Sequence, residues 1–179
     1  MISSDFFEVL GGLPGDGPLP LAFSATGQGR HREGFVVRFM PTDAAPWVGN
    51  FQPGLTSFNL VAGQNKGAAH LVISGGQAYL VDTETGGVLS EFGGSIEWAQ
   101  VIDGDETVLT CNGISFSLLN GAKTVWQTRR LSWDGVRGIR LTSDRLMGEG
   151  WCFDETWHPF EVNLTNGDAV GGGYTGPET

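Results

Sequence analysis

The sequence predicts an all-β protein, an antiparallel meander of short strands with an irregular N-terminal third. Three observations carry that expectation. Dipeptides that close hairpins recur through the chain: Gly75-Gly76, Thr85-Gly86, Asp103-Gly104, Asn112-Gly113, Asn120-Gly121, Asp134-Gly135 and Asn166-Gly167. Asn-Gly and Asp-Gly are strong hairpin signals because both central residues of a type I′ turn need positive φ. The runs between them are short and several alternate. Phe160, Val162 and Leu164 interleave with Glu161 and Asn163, and Ile114, Phe116 and Leu118 with Ser115 and Ser117. Such alternation puts one face of a sheet in the core and the other in water. Finally, no window sustains a helical period, and 29 glycines are scattered without a collagen-like repeat, a supply that many tight turns require.

In chain order, Gly11 to Pro20 holds four Gly and three Pro, which excludes regular structure there. Gly27 to Gly34 and Pro41 to Gly54 are punctuated in the same way. Between them Phe35 to Phe39 is β-branched and aromatic and reads as a strand. Phe23, Trp47, Phe51 and Leu55 are the apolar anchors expected to pack these loops. From there the strand candidates follow regularly: Ser57–Ala62, His70–Ser74, Gln77–Asp82, Gly87–Phe92, Ser95–Ile102, Thr107–Cys111 and Ile114–Leu119. The series closes with Thr124–Thr128, Val136–Thr142, Arg145–Phe153, Trp157–Leu164 and Ala169–Tyr174.

A chain of 179 residues fits one domain, 1–179, with 1–34 as an irregular segment packed on it and 171–179 as a tail. A domain of this size buries roughly 70% of its unfolded surface, so a core needs no metal or disulfide. The strands leave open a small propeller-like ring of sheets or a twisted β-sandwich. Cys111 and Cys152 sit in apolar runs far apart, and their pairing is left open. Met1 to Leu10 lacks the positive, apolar pattern of a signal peptide, and no run approaches a membrane span. The expected address is cytoplasmic, with reduced thiols and no membrane partner. The Asn163-Leu164-Thr165 sequon would be idle there.

The formal net charge of −10 argues against a nucleic-acid partner, since phosphates repel such a surface. The charge is uneven. Asp82 to Glu106 holds seven acids and no base, whereas Lys123 to Arg145 holds six bases and two acids, with Trp126 and Trp133 among them. Mutual neutralisation of the two stretches is the expectation.

An internal repeat links Tyr79-Leu80-Val81-Asp82-Thr83-Glu84-Thr85-Gly86-Gly87-Val88-Leu89 to Phe160-Glu161-Val162-Asn163-Leu164-Thr165-Asn166-Gly167-Asp168-Ala169-Val170. Phe116 to Trp126 is a poorer third copy. The turn glycines 86, 121 and 167 are spaced by 35 and 46 residues, a step in the range of propeller blades. The first copy resembles the blade motif of PQQ-type and WD-type β-propellers, in which a strand enters an Asp-x-x-Thr-Gly turn and leaves on an apolar strand. The sequence departs from that family in lacking a recurring blade-closing Trp and the Gly-His…Trp-Asp signature. The resemblance implies a meander of small sheets and no quinone cofactor. Phe35 to Tyr174 also resembles a group of uncharacterised bacterial proteins. Its marks are Arg32-Glu33-Gly34-Phe35, Trp47-Val48-Gly49-Asn50-Phe51 and Ser132-Trp133-Asp134-Gly135, and it implies no function.

Familiar catalytic patterns fail on spacing. Gly121-Ala122-Lys123-Thr124 lacks the Gly directly before Lys that a phosphate loop needs, and Gly27-Gln28-Gly29 lacks the third glycine of a dinucleotide fingerprint. Asp103-Gly104-Asp105-Glu106 is too short for a calcium loop. His31, His70 and His158 are dispersed and no paired Cys/His spacing is present, so no metal or other cofactor is expected. Ser74 and Ser95 lack a nucleophile elbow.

The richest stretch is Ser132 to His158. It holds Trp133, Trp151 and Trp157, together with Asp134, Arg137 and Glu149. Trp and Arg are preferred anchors of protein interfaces, and Arg129, Arg130, Arg137 and Arg140 add carboxylate-binding capacity. Trp133, Asp134, Arg137, Trp151 and Trp157 are therefore the candidate binding residues. His158, with Asp154 or Glu155 to orient it, is a candidate general base; otherwise it closes the core edge on a backbone carbonyl. Two functions follow. One is a non-enzymatic module that binds another protein, as an adaptor or immunity-type inhibitor. The other is a metal-independent hydrolase or carbohydrate-binding domain built on the Trp133–His158 region.

Overall fold

The computed structural model describes residues 3–4, 6–27, 32–64, 67–102, 107–121 and 123–177. His31, the Gln28-Gly29 pair and the Asp103–Glu106 turn lie outside them. The described residues contain seventeen strands in four sheets and no α-helix. The protein is all-β. Its packing divides into two compact units, one of residues 1–96 and 101–106, the other of 97–100 and 107–179.

In the first unit, β1 (Ser3–Ser4), β2 (Phe7–Leu10), β3 (Leu21–Phe23), β4 (Phe35–Phe39) and β5 (Trp47–Phe51) form a sheet in the order β1-β2-β4-β5-β3. Gly11 to Pro20 is strand-free, as expected, but β1, β2, β3 and β5 add to the one strand read from the sequence. The β5 strand hid behind Gly49 and Asn50, residues that normally mark loops. Here Gly49 is needed because a Cβ would strike the ring of Phe51. Asn50 is buried yet satisfied, its Oδ1 accepting the Gly34 N–H at 2.8 Å. β3 runs parallel to β5, a departure from the all-antiparallel expectation. Phe23 stacks on Phe51 at 4.4 Å and pins it there. Leu55 is not an anchor; it is 88% exposed.

The second sheet is a meander of β6 (Leu60–Gln64), β7 (Ala69–Ser74), β8 (Gln77–Asp82) and β9 (Val88–Gly93). Residues 54–58 do not extend β6, because they hydrogen-bond across the Gly75-Gly76 turn: Thr56 N–H donates to Gly75 and Gly76 N–H to Phe58. The unit's core joins Phe7, Phe23, Val37, Phe39 and Phe51 to Val72, Tyr79 and Val81. Each of these large side chains contributes roughly 1.5–3 kcal/mol by leaving water.

The rest of the chain, most of it the second unit, repeats the meander twice. One sheet holds β10 (Trp98–Ile102), β11 (Thr107–Cys111), β12 (Phe116–Asn120) and β13 (Lys123–Gln127). The other holds β14 (Val136–Leu141), β15 (Arg145–Trp151), β16 (Trp157–Asn163) and β17 (Ala169–Gly171). Four-stranded antiparallel meanders are the sheets from which propeller blades are made. Phe116 and Phe160 meet at 5.6 Å in the core of this unit, where Leu109, Leu131, Leu146 and Val162 are also buried. Both cysteines are free and buried.

The internal repeat is a repeat of geometry. Asp82 N–H donates to Gly87 and Gly86 N–H to Asp82; Asn163 N–H donates to Asp168 and Gly167 N–H to Asn163. The Asp82 and Asn163 side chains each accept a backbone N–H inside the turn, from Thr85 at 2.7 Å and Thr165 at 2.9 Å. A tryptophan closes each turn. Trp47 donates its indole N–H to Thr83 O at 2.8 Å, and Trp126 donates to Leu164 O at 2.8 Å. Each Trp comes from the preceding sheet, 36 to 38 residues before its turn carbonyl, where a search near the turn does not meet it.

Candidate functional site

The fourth sheet carries nearly every residue singled out above. Its entry loop, Leu131 to Gly135, is tied down by Ser132, which is fully buried. Ser132 Oγ accepts the N–H groups of Asp134 at 3.1 Å and Trp151 at 3.0 Å, and donates to Gly135 O at 2.5 Å. The Leu131 carbonyl accepts from Gly173 N at 2.8 Å and Tyr174 N at 3.3 Å, which brings the C-terminal segment alongside. Sequence reasoning gave neither Ser132 nor Tyr174 a role.

These anchors assemble an aromatic ridge. Trp133 lies 4.7 Å from Phe153 and 4.5 Å from Tyr174, and Trp151 meets Phe153 edge-on at 5.2 Å. The Arg130 guanidinium sits 5.2 Å from the Trp133 ring and 4.8 Å from the Tyr174 ring. It donates to Ser132 O at 2.9 Å and Trp133 O at 2.8 Å. Phe153 crowns the ridge at 66% exposed. Trp133 and Trp151 are therefore brought together, through a phenylalanine that the sequence reading passed over.

Trp157 belongs elsewhere on the sheet. It pairs with Trp151 across the β15–β16 ladder, and Arg137 lies 4.3 Å over its ring while bonding Glu149 at 2.7 Å. Asp134 joins the site only through its backbone; its carboxylate has no partner among the described residues.

Among the described residues, the acids that pair with the basic stretch lie close to it in sequence. Arg137 pairs with Glu149, and Arg145 with Asp144 and Glu161, all in the fourth sheet. Arg129 and Arg130 bond backbone carbonyls, with no carboxylate within 4 Å among the described residues. They line a cleft of about 580 Å³ with Asn112, Ser115, Gln127 and Tyr174. The result is a cationic cleft beside the aromatic ridge.

His158, Asp154 and Glu155 lie at the β15–β16 turn. His158 Nε2 contacts Asp154 Oδ2 at 2.9 Å and Thr156 Oγ1 at 2.8 Å, and its side chain is 42% exposed. It does not seal the core, and it bonds no backbone carbonyl among the described residues. Thr156 Oγ1 donates to Asp154 Oδ1 at 2.6 Å, and this bond, then His158, holds the carboxyl down to about 2. Glu155 takes φ +63° to close the turn and has no contact with His158 among the described residues. A catalytic relay sets carboxylate and nucleophile on opposite nitrogens of the imidazole. Here both use Nε2, which has either one hydrogen or one lone pair. It cannot accept a proton from Thr156 and donate to Asp154 at once.

No family model and no curated protein matches the sequence. Among solved structures, the chain is similar to the WD40 β-propeller domain of Doa1, with 14% identity and a TM-score of 0.39. The match covers 75% of this chain and 46% of that one.

Proposed function

We propose that this protein is a binding module that docks another protein on the Trp133–Phe153–Tyr174 ridge, with Arg129 and Arg130 receiving a carboxylate of the partner. The observation that carries the reading is the pairing of an exposed apolar crown with two guanidinium groups that have no acid partner among the described residues. Buried aromatics with Arg beside them are the composition of interface hot spots. The flat guanidinium of Arg130 is already positioned by two rings and two carbonyls, so little freedom is lost on binding. In a chain of net charge −10, a local cationic cleft fixes where and how an acidic segment lands.

The test is capture from a native lysate with the wild-type chain and with Phe153→Ser, Arg130→Ala and His158→Ala, each checked for fold by circular dichroism. A stoichiometric, salt-sensitive partner that survives His158→Ala but is lost with Phe153→Ser and Arg130→Ala supports the reading. A partner held equally by all variants, or no partner at all, counts against it.

A further inference from the structure

The β15–β16 turn holds a second set of groups that the docking ridge does not use. Cys152, Asp154 and His158 place a sulfur, a carboxylate oxygen and an imidazole nitrogen within 4.8 Å of one another. The spacing is Cys-x-Asp-x3-His, which no familiar finger pattern contains and which the sequence reading therefore missed. The turn makes the cluster. Cys152 N–H donates to Thr156 O at 3.0 Å and Glu155 N–H to Cys152 O at 3.1 Å, folding Asp154 and His158 back over the thiol.

The Cys152 residue is 7% exposed, and its sulfur makes no hydrogen bond among the described residues. Cys111 belongs to no such group among the described residues. Its sulfur accepts the Gly113 N–H at 3.3 Å, and burial pushes the thiol up to about 12. Cys152 instead faces an imidazole and a carboxylate at the protein surface.

We propose that the β15–β16 turn binds one divalent transition-metal ion of the zinc class through Cys152, Asp154 and His158, leaving a fourth position for water or an external ligand. Ligand bonds to such an ion are about 2.0–2.3 Å, so neighbouring donors in a tetrahedral shell sit about 3.5 Å apart. Donors now within 4.8 Å close that gap by side-chain rotation in an exposed turn. A thiolate with an imidazole selects zinc, cobalt or nickel over calcium and magnesium, which take oxygen shells. Thr156 Oγ1 donates to Asp154 Oδ1 and is placed to orient that carboxylate from behind. The acidic character of the chain favours cation approach.

Cobalt(II) alone is the probe, added to reduced, metal-free, tag-free protein. The expected result is saturation at one equivalent with a thiolate-to-cobalt charge-transfer band, reversed by zinc. Cys152→Ser abolishes the band, and Cys111→Ser leaves it intact. His158→Ala, a change at a half-exposed turn that leaves the circular dichroism unchanged, weakens binding by on the order of tenfold or more; it decides the matter if Cys152→Ser does not fold. Absence of the band in the wild type, its survival in Cys152→Ser, or unchanged affinity in His158→Ala would overturn the proposal.

Discussion

Trp126 donates its indole N–H to the carbonyl of Leu164 at 2.8 Å while its ring covers Gly167 in the same turn. Trp133, seven residues on, is the opposite case: its indole N–H is buried and has no acceptor among the described residues. The same substitution therefore has two outcomes. Trp126→Phe removes a bond and leaves a carbonyl unpaired, a loss of about 1–3 kcal/mol. Trp133→Phe removes a donor that was already unpaired and changes stability by less than about 1 kcal/mol. Urea denaturation of the two variants against the wild type measures the contrast, and equal losses would disprove it.

Gly167 has φ +78°, and a Cβ there would lie 2.7 Å from Trp126 Cε3. Gly138 has φ +63° with nothing within 4 Å of a Cβ. Gly138→Ala bears only the left-handed backbone penalty of about 1–2 kcal/mol. Gly167→Ala adds displacement of a ring that is itself hydrogen-bonded, about 1–3 kcal/mol more. Denaturation midpoints should rank wild type, Gly138→Ala, then Gly167→Ala; the reverse order of the two variants would show that Trp126 does not depend on the turn.

The four-strand meanders were legible because their signals are local: Asn112-Gly113 or Asn166-Gly167 names a turn without reference to the rest of the chain. β5 was not, because Gly49 is explained only by the Phe51 and Phe23 rings that cover it, and those contacts exist only after folding. The site divides in the same way. Trp133 and Trp151 stood out by residue type, but Phe153 and Tyr174 acquire meaning through rings brought together from the β15–β16 turn and the C-terminal segment. Thr156, a residue of no note in the sequence, proves to hold both Asp154 and His158.

His70 is 1% exposed, packed edge-on against Phe7 and Phe39, and its Nδ1 lies 2.8 Å from Thr83 Oγ1. Burial lowers its pKa from 6.5 to about 4. The folded protein thus keeps the ring neutral where the unfolded chain would protonate it. Stability from this group is complete above pH 6.5 and is lost progressively as pH falls toward 4, by roughly 3 kcal/mol in total. His70→Gln does not titrate, so the difference in unfolding free energy between wild type and variant should shrink across that window. A constant difference from pH 7 to 4 would refute the assignment.

Asp154 gives the opposite pH range. Its carboxyl lies at about 2, below the ordinary 3.8, chiefly because the Thr156 hydroxyl donates to it and secondarily because of His158. A depressed carboxyl favours the folded state above pH 3.8, and that contribution disappears as pH falls through about 2. The side chain is open to solvent, so the effect is read best as a titration rather than as stability. Thr156→Val removes the leading donor while preserving the shape of the residue. Carbon-detected NMR of the Asp154 carboxyl should show its midpoint rising toward 3.8 in Thr156→Val, and by a smaller amount in His158→Ala. A larger rise in His158→Ala than in Thr156→Val would mean that the imidazole, not the hydroxyl, governs the turn.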